Sequence, residues 1–280
     1  MENNTIIPIR ESIHRLYPTL TKAEKKVADY VLVNMDKIVY SSLADVASNI
    51  GVGETTMLRF VRKVGLNGYQ EFKLSLAQSV ITVREDENEE ESNNLTQKIS
   101  NNIIQTLKNS ALMINEDDLE KAIHLLNEAK SIYFFGVGTS GITALDAKLR
   151  FLRMGIKADA ITDPHIQSMI ASTLTEKDVV VGFSVSGSNR DTIHSLEVSK
   201  KNKAKVISVT YHVKSKITEV SDIVLLGGDK ESPLEGGSLT SKISQLFIVD
   251  LLTTGVALIN EEHSKRMMNK TARSVVNKIF

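Results

Sequence analysis

Two stretches in the second half of this 280-residue chain concentrate glycine and small hydroxyl residues. They are Gly136-Val137-Gly138-Thr139-Ser140-Gly141 and Ser184-Val185-Ser186-Gly187-Ser188-Asn189-Arg190-Asp191-Thr192. Each lies between an apolar run of strand length and a helical stretch. Backbone N–H groups at a helix N-terminus attract an anion, and serine hydroxyls add donors without bulk. Two such loops side by side suit one phosphate carrying a polyhydroxylated body. A rival reading uses the first loop alone: Gly136-x-Gly138-x-x-Gly141 fits the dinucleotide fingerprint, and Asp159 follows where a ribose-binding acid belongs. That reading leaves Ser184-x-Ser186-Gly187 without a task and ranks second. Isomerisation of a bound sugar would need a positioned base, usually Glu or His. The candidates are His165, just after Pro164, then His194, Glu231 and Glu235. None is joined by a second group that would mark it, so binding without turnover is expected, with no catalytic residue, cofactor or metal. The chain has no cysteine, which excludes disulfides, thiolate zinc sites and cysteine nucleophiles.

A second constellation lies in Leu43–Val64, LADVASNIGVGETTMLRFVRKV. Small Ala44 and Ala47 allow a close helix approach, and Gly51 permits a tight turn. Val52 plugs the angle between the two helices. Beyond the turn an inward set (Met57, Phe60, Val61, Val64) alternates with an outward set (Glu54, Thr55, Arg59, Arg62, Lys63). This is the pattern of a helix-turn-helix whose second helix enters the major groove. Thr55 and Thr56 stand at its N-terminal end, and Arg59 one turn later can fork onto guanine or grip a phosphate.

The elements that carry these residues are legible from periodicity. Thr21-Lys22-Ala23-Glu24 forms a capping box ahead of Val27, Tyr30, Val31 and Met35 at helical spacing. Ser42 caps a helix Leu43–Ile50; helices Glu54–Val64 and Tyr69–Ser79 follow, separated by Gly65 and Gly68. Residues 85–91 are almost wholly acidic and read as a solvated linker. After it, helices are expected at Leu95–Ile114 and Asp118–Ala129. Strand-length runs come next at Ile132–Phe135, Lys157–Ile161, Val179–Phe183, Val206–Thr210 and Ile223–Leu226. Their alternation with helices predicts a mostly parallel five-stranded sheet in a three-layer α/β domain. A last helix, Thr240–Leu258, is apolar on most sides and should be covered heavily. Contiguous apolar runs such as Phe247–Leu252 are too short to span a bilayer. Glu2, Asn3 and Asn4 do not open an export signal, so a cytoplasmic location without membrane contact is expected. The formal net charge of zero hides a basic patch over residues 54–73 and the acidic run.

Thr21 to Gln78 resembles the N-terminal domain of the RpiR family of bacterial regulators, on LTKAEKKVADYVLVN, LADVASNIGVGETTMLRFVRKVGLNGYQEFK and the spacing between them. Residues 123–265 resemble the SIS domain, a phosphosugar-binding fold, on FFGVGTSG, DPHIQ, DVVVGFSVSGSNRDTI, KVISVTY and SDIVLLGG. The resemblance implies an all-α helix-turn-helix domain over residues 1–80, the acidic linker 81–94, and a SIS domain over 95–280. It implies a regulator that binds double-stranded operator DNA as a homodimer or homotetramer and answers to a sugar-phosphate effector. By position, Ser184, Ser186 and Asn189 would line the phosphate and Ser140 would meet the sugar or phosphate. Gly138, Thr139, Gly187, Ser188, Thr192 and His165 complete the expected ligand set. The expected DNA set is Ser42, Thr55, Thr56, Arg59, Arg62, Lys63, Tyr69 and Lys73. The chain departs from the family at Gly53, where a serine usually heads the recognition helix, and at Asn189, where threonine is common.

Overall fold

The computed structural model describes residues 9–84, 94–227 and 237–276. Residues 1–8, the acidic run 85–93, and residues 228–236 with Glu231 and Glu235 lie outside the described residues. The described chain falls into two compact units that divide at residue 95.

The first unit is helical: α1 (Ile9–Leu16), α2 (Lys22–Val33), α3 (Met35–Ile38), α4 (Leu43–Ile50), α5 (Glu54–Lys63) and α6 (Tyr69–Arg84). The expected capping box starts α2: Glu24 N–H donates to Thr21 Oγ1 at 3.3 Å, and Thr21 N–H donates to Glu24 Oε2 at 2.8 Å. Each side chain satisfies a donor that the first helical turn leaves without an internal partner. Val27, Val31, Met57, Phe60, Val61 and Phe72 interdigitate in one core. Phe60 meets Phe72 edge-on, with ring centroids 6.3 Å apart. Helix α6 runs to Arg84 rather than stopping at Ser79, into the start of the segment expected as linker. Nothing between Ser79 and Arg84 breaks a helix. The residues there include β-branched ones, which weaken a helix by only tenths of a kcal/mol each, far less than Gly or Pro.

The second unit opens with α7 (Leu95–Met113) and α8 (Glu116–Glu128). It continues β1 (Ser131–Phe135), α9 (Thr139–Arg153), β2 (Ala158–Ile161), α10 (Pro164–Ala171), β3 (Asp178–Phe183), α11 (Arg190–Lys201), β4 (Lys205–Thr210), α12 (Lys216–Val220), β5 (Ile223–Leu226), α13 (Leu239–Ile259) and α14 (Glu261–Arg273). The five strands form one parallel sheet in the order β2-β1-β3-β4-β5. Strand side chains alternate between two helical layers. On one face Phe134, Val181, Phe183 and Val209 pack with α8, α9 and α13. On the other, Phe135, Val180 and Val206 pack with α10, α11 and α12 through Ala171, Leu196 and Ile217. Every residue of β3 is buried, as expected of a central strand covered on both faces.

Helix α13 corrects the expectation about apolar length. Over Leu239–Ile259 its mean hydropathy reaches 1.6, enough by length and composition to cross a bilayer. Contiguous apolar runs missed this because Gln245, Asp250 and Thr253 interrupt them without lowering the average far. In this fold its Ile248, Val249, Leu252 and Val256 fill the sheet core.

Candidate functional site

In the first unit, α4 and α5 make the helix-turn-helix. The Ser42 hydroxyl caps α4, accepting from Asp45 N–H at 3.1 Å and donating to Asp45 Oδ2 at 2.6 Å. Gly51 ends the helix at φ +74°, ψ 39°, a left-handed conformation that costs an L side chain a Cβ clash. Val52 N–H then returns to Ala47 O at 3.0 Å, and the Val52 side chain packs against the core. Gly53 heads α5 without any side-chain cap. Met57, Phe60 and Val61 are fully buried, while Thr55, Arg59 and Arg62 are exposed on one face at i, i+4 and i+7. Thr56 and Ser42 are half-buried.

Three members of the expected DNA set are committed elsewhere. Lys63 Nζ donates to Thr19 O at 2.9 Å and to Glu24 Oε2 at 3.0 Å, so it ties the end of α5 to the start of α2. The Thr21 backbone N–H and then the Lys63 ammonium hold the Glu24 carboxyl below the ordinary carboxylate range, against the opposing effect of burial. Tyr69 is buried, and its hydroxyl donates to Ser41 O at 3.1 Å, with Ser42 O at 3.3 Å. Burial, and after it the nearby Asp45 charge, push the Tyr69 phenol far above its usual range. Lys73 is buried as well. The expectation of a DNA contact is corrected for Tyr69 and Lys73, which are buried; Lys63 braces the helix-turn-helix while remaining exposed. Sequence could not separate them from Arg59, because a basic or phenolic residue reads alike whether its tip meets water or a carbonyl.

In the second unit the two hydroxyl loops leave the carboxyl ends of β1 and β3. These strands are hydrogen-bonded neighbours, with Phe135 opposite Gly182, so the loops begin side by side. The chain leaves β1 through α9 on one face of the sheet and leaves β3 through α11 on the other. The strand order reverses between them, the topological position at which ligands of open parallel sheets bind. A Cβ on Gly136 would meet Ser140 O at 2.6 Å, so only glycine lets the first loop curl back on α9. Gly138 starts α9 at φ +61°. Ser140 is buried and accepts from Gln245 Nε2 at 3.4 Å, while Thr143 Oγ1 donates to Gln245 Oε1 at 3.0 Å. Thr139 is exposed.

The second loop is anchored on β4 and α12. Tyr211 N–H donates to Val185 O at 3.1 Å, and Ile217 N–H donates to Gly187 O at 3.0 Å. Gly187 sits at φ +61°, and a Cβ there would collide with the Ser215 side chain. Ser188 Oγ donates to Ser186 Oγ at 3.0 Å. Ser184 is buried, and Ser186, Ser188 and Asn189 are half-buried. Asn189 Oδ1 caps α11 by accepting from Thr192 N–H at 2.9 Å, which leaves the Nδ2 amide as its outward donor. Thr192 is fully buried, and its Oγ1 has no hydrogen-bond partner and no access to solvent. The expected direct contact of Thr192 with ligand is thus corrected to a place beneath the loop. His165, at the second position of α10, and His194, on α11, are both exposed.

Two glutamines escaped the sequence reading. Gln245 is described above; Gln167 is fully buried on α10 and donates through Nε2 to Ile161 O at 2.8 Å and Gly136 O at 3.3 Å. It thereby stitches the end of β2 to the first loop. Gln167 closes the DPHIQ run, where His165 was the residue singled out, and Gln245 lies inside α13 outside any motif, so no local signal gave either amide a role. Asp159, the acid of the rival dinucleotide reading, lies within β2 opposite Tyr133, two residues short of the strand's carboxyl end. Its carboxylate is held by Lys148 Nζ at 2.6 Å and by Ala160 N–H at 2.8 Å.

Comparison with known proteins agrees with both units. Residues 7–82 match the helix-turn-helix domain of the rpiR family, and residues 125–255 match the SIS domain. An HTH-type transcriptional regulator of Haemophilus influenzae is 34% identical over 96% of each chain. The HTH-type transcriptional regulator HexR of Pseudomonas aeruginosa is 33% identical over 89% of this chain and 88% of its own. Among solved structures, the Vibrio vulnificus NanR protein complexed with ManNAc-6P superposes with a TM-score of 0.90 at 26% identity, covering 97% of this chain and 99% of that one. The exposed basic helix, the paired hydroxyl loops and these relatives lead to one assignment: the chain belongs to the rpiR family of HTH-type transcriptional regulators, with a SIS domain as its second unit.

Proposed function

We propose that this regulator reads operator DNA through the exposed face of α5 and is controlled by a phosphorylated amino sugar. The effector is held between the loops at Gly138–Ser140 and Ser184–Asn189. The observation that carries the reading is the start of two hydroxyl-rich loops side by side at the strand-order reversal, with Gly138 and Gly187 at positive φ and Gly136 packed where a Cβ would meet Ser140 O. The Vibrio vulnificus NanR complex with ManNAc-6P supports the amino-sugar phosphate class. The pocket binds without turnover. The attached helix-turn-helix supports this, as do relatives named as transcriptional regulators. The protein works in the cytoplasm, where its DNA is, as a homodimer or homotetramer whose recognition helices meet half-sites about one DNA turn apart or a multiple of it.

The test is a thermal-shift screen of the full chain with ManNAc-6P, glucose 6-phosphate, ribose 5-phosphate and NADH. At 100 times Kd a ligand adds about 2.7 kcal/mol, or about 5–10 °C at 2–4 °C per kcal/mol for a unit of this size. A shift with a sugar phosphate that disappears in Ser186→Ala, with operator affinity retained, is the expected result. Stabilisation by NADH alone would overturn the reading in favour of a nucleotide sensor, and consumption of the sugar phosphate would overturn binding without turnover.

A further inference from the structure

Asn67 and Gly68 form the single Asn-Gly pair of the chain. They lie in the bend between α5 and α6, outside either helix, and Asn67 is exposed. A Cβ placed on Gly68 would meet nothing within 4 Å, so the space around this peptide is open. The Gly68 N–H donates to no carbonyl among the described residues. Glu71 Oε2 accepts from the Asn67 backbone N–H at 2.7 Å and from Asn67 Nδ2 at 3.0 Å. That one carboxylate fastens the chain ahead of α6, and its hold on the side chain lasts only while residue 67 presents a donor.

We propose that Asn67 is a site of spontaneous modification by water, and that its conversion disables the helix-turn-helix as the protein ages. Asparagine is among the thermolabile residues, and a following glycine has no Cβ to crowd attack by its nitrogen. The Gly68 nitrogen attacks Asn67 Cγ. The new N–C bond closes a cyclic imide, the Cγ–Nδ2 bond breaks, and ammonia leaves with the proton of the Gly68 N–H. Water then opens the ring at either carbonyl. One opening leaves an aspartate. The other routes the main chain through the side-chain carboxyl and lengthens it by a methylene. Either product puts a carboxylate where Glu71 now holds an amide, so an attraction at i, i+4 becomes a repulsion between like charges. Tyr69 follows two residues on, buried, with its hydroxyl on Ser41 O and Ser42 O. Ser42 caps α4, so displacing the start of α6 slackens the support of the helix-turn-helix. Ammonia is not recaptured, and the converted fraction therefore measures time since synthesis.

The chemistry stands by itself; its effect on DNA rests on the proposal that α5 reads operator, and the experiment separates the two. The full chain and its Gly68→Ala variant are held in mildly alkaline buffer at growth temperature and sampled with trypsin. Alanine fits at this position, since Gly68 has neither a positive φ nor a close neighbour. Cuts after Lys63 and Lys73 release residues 64–73, in which Asn67 is the sole asparagine. Mass spectrometry reads the exchange of amide for carboxyl, and methyl transfer by an isoaspartate-specific methyltransferase reads the lengthened product. Binding capacity is measured on a duplex enriched from random DNA by fresh protein, with the thermal transition of the helical unit followed alongside. Asn67 should convert ahead of every other asparagine among the described residues, and Gly68→Ala should lose this conversion. Binding capacity should fall in step with the converted fraction, so that half conversion halves it, and the thermal transition should fall too. An Asn67 that stays intact while other asparagines convert overturns the site, as does a Gly68→Ala variant that converts as fast as the wild type. Full conversion with unchanged capacity and an unmoved transition overturns the effect on the helix-turn-helix. Fresh protein that enriches no duplex refutes the reading of α5, and the thermal transition then decides the effect alone.

Discussion

Gln245 offers the sharpest test of how the ligand loop is supported. Its amide lies in the interior between α13 and α9, accepting from Thr143 Oγ1 at 3.0 Å and donating to Ser140 Oγ at 3.4 Å. The Gln245→Met change keeps the shape and removes both bonds. Ser140 sits at the edge of the loop and its bond is long, so little stability is lost there. Thr143 is fully buried, and a hydroxyl stranded in the interior costs about 1–3 kcal/mol. The expected loss is therefore about 2 kcal/mol, or about 4–8 °C at 2–4 °C per kcal/mol for the second unit. Thr143→Val should cost a similar amount by stranding Gln245 Oε1. The double variant replaces both partners with apolar groups of like shape, so it should return to within ~1 kcal/mol of the native protein. That pattern means strong coupling in a double-mutant cycle. The assay is differential scanning calorimetry, following the transition that moves with effector so that the two units are not averaged into one apparent midpoint. Two single variants whose costs simply add would refute the reasoning, since each hydroxyl or amide would then be satisfied by some other group. The Gln245 amide also leaves the Ser140 proton free to point outward, so Gln245→Met should weaken effector binding as well.

Two further predictions concern the helical unit. Arg59→Ala should weaken operator binding by about 1–3 kcal/mol if the guanidinium reads a base, or lower the salt slope by about one if it grips a phosphate. Effector-induced stabilisation should be unchanged; normal operator binding by this variant at physiological salt would remove α5 from the DNA contact. The Glu24 carboxyl is held below its ordinary value in the folded chain. Its stabilising contribution is thus fully present above the unfolded value near 4.5 and is lost as pH falls through the folded one. Glu24→Gln should cost about 1 kcal/mol at pH 7, on the scale of a helix cap, and the gap should close towards pH 3. A gap that stays constant across this range would show that the charge has no part in the capping box.

The boundaries of most elements were legible in the sequence because their causes are local. The Thr21–Glu24 capping box, the Ser42 cap and the Gly51 turn each depend on a few consecutive residues, and all three hold in the fold. The five strands stand where short apolar runs alternate with helical stretches. Glycine at Gly138 and Gly187 could be read as backbone freedom, and both take positive φ.

What local pattern could not decide was the use made of side-chain tips and of residues distant in sequence. Lys63 and Arg59 share a helix and a charge, yet Lys63 is drawn to Glu24, 39 positions away. Gln245 reaches Ser140 across 105 positions, and only the stacking of α13 on α9 brings them together. Asp159 has the right distance along the chain for a ribose but the wrong height in the sheet, because register fixes it opposite Tyr133. The sequence by itself determined the two folds, their order and the two loops, since periodicity and turn chemistry act over a few residues. Tertiary structure alone decided which hydroxyls, amides and charges are spent on holding the molecule together and which are left to face a partner, because hydrogen bonding and burial are settled by neighbours in space.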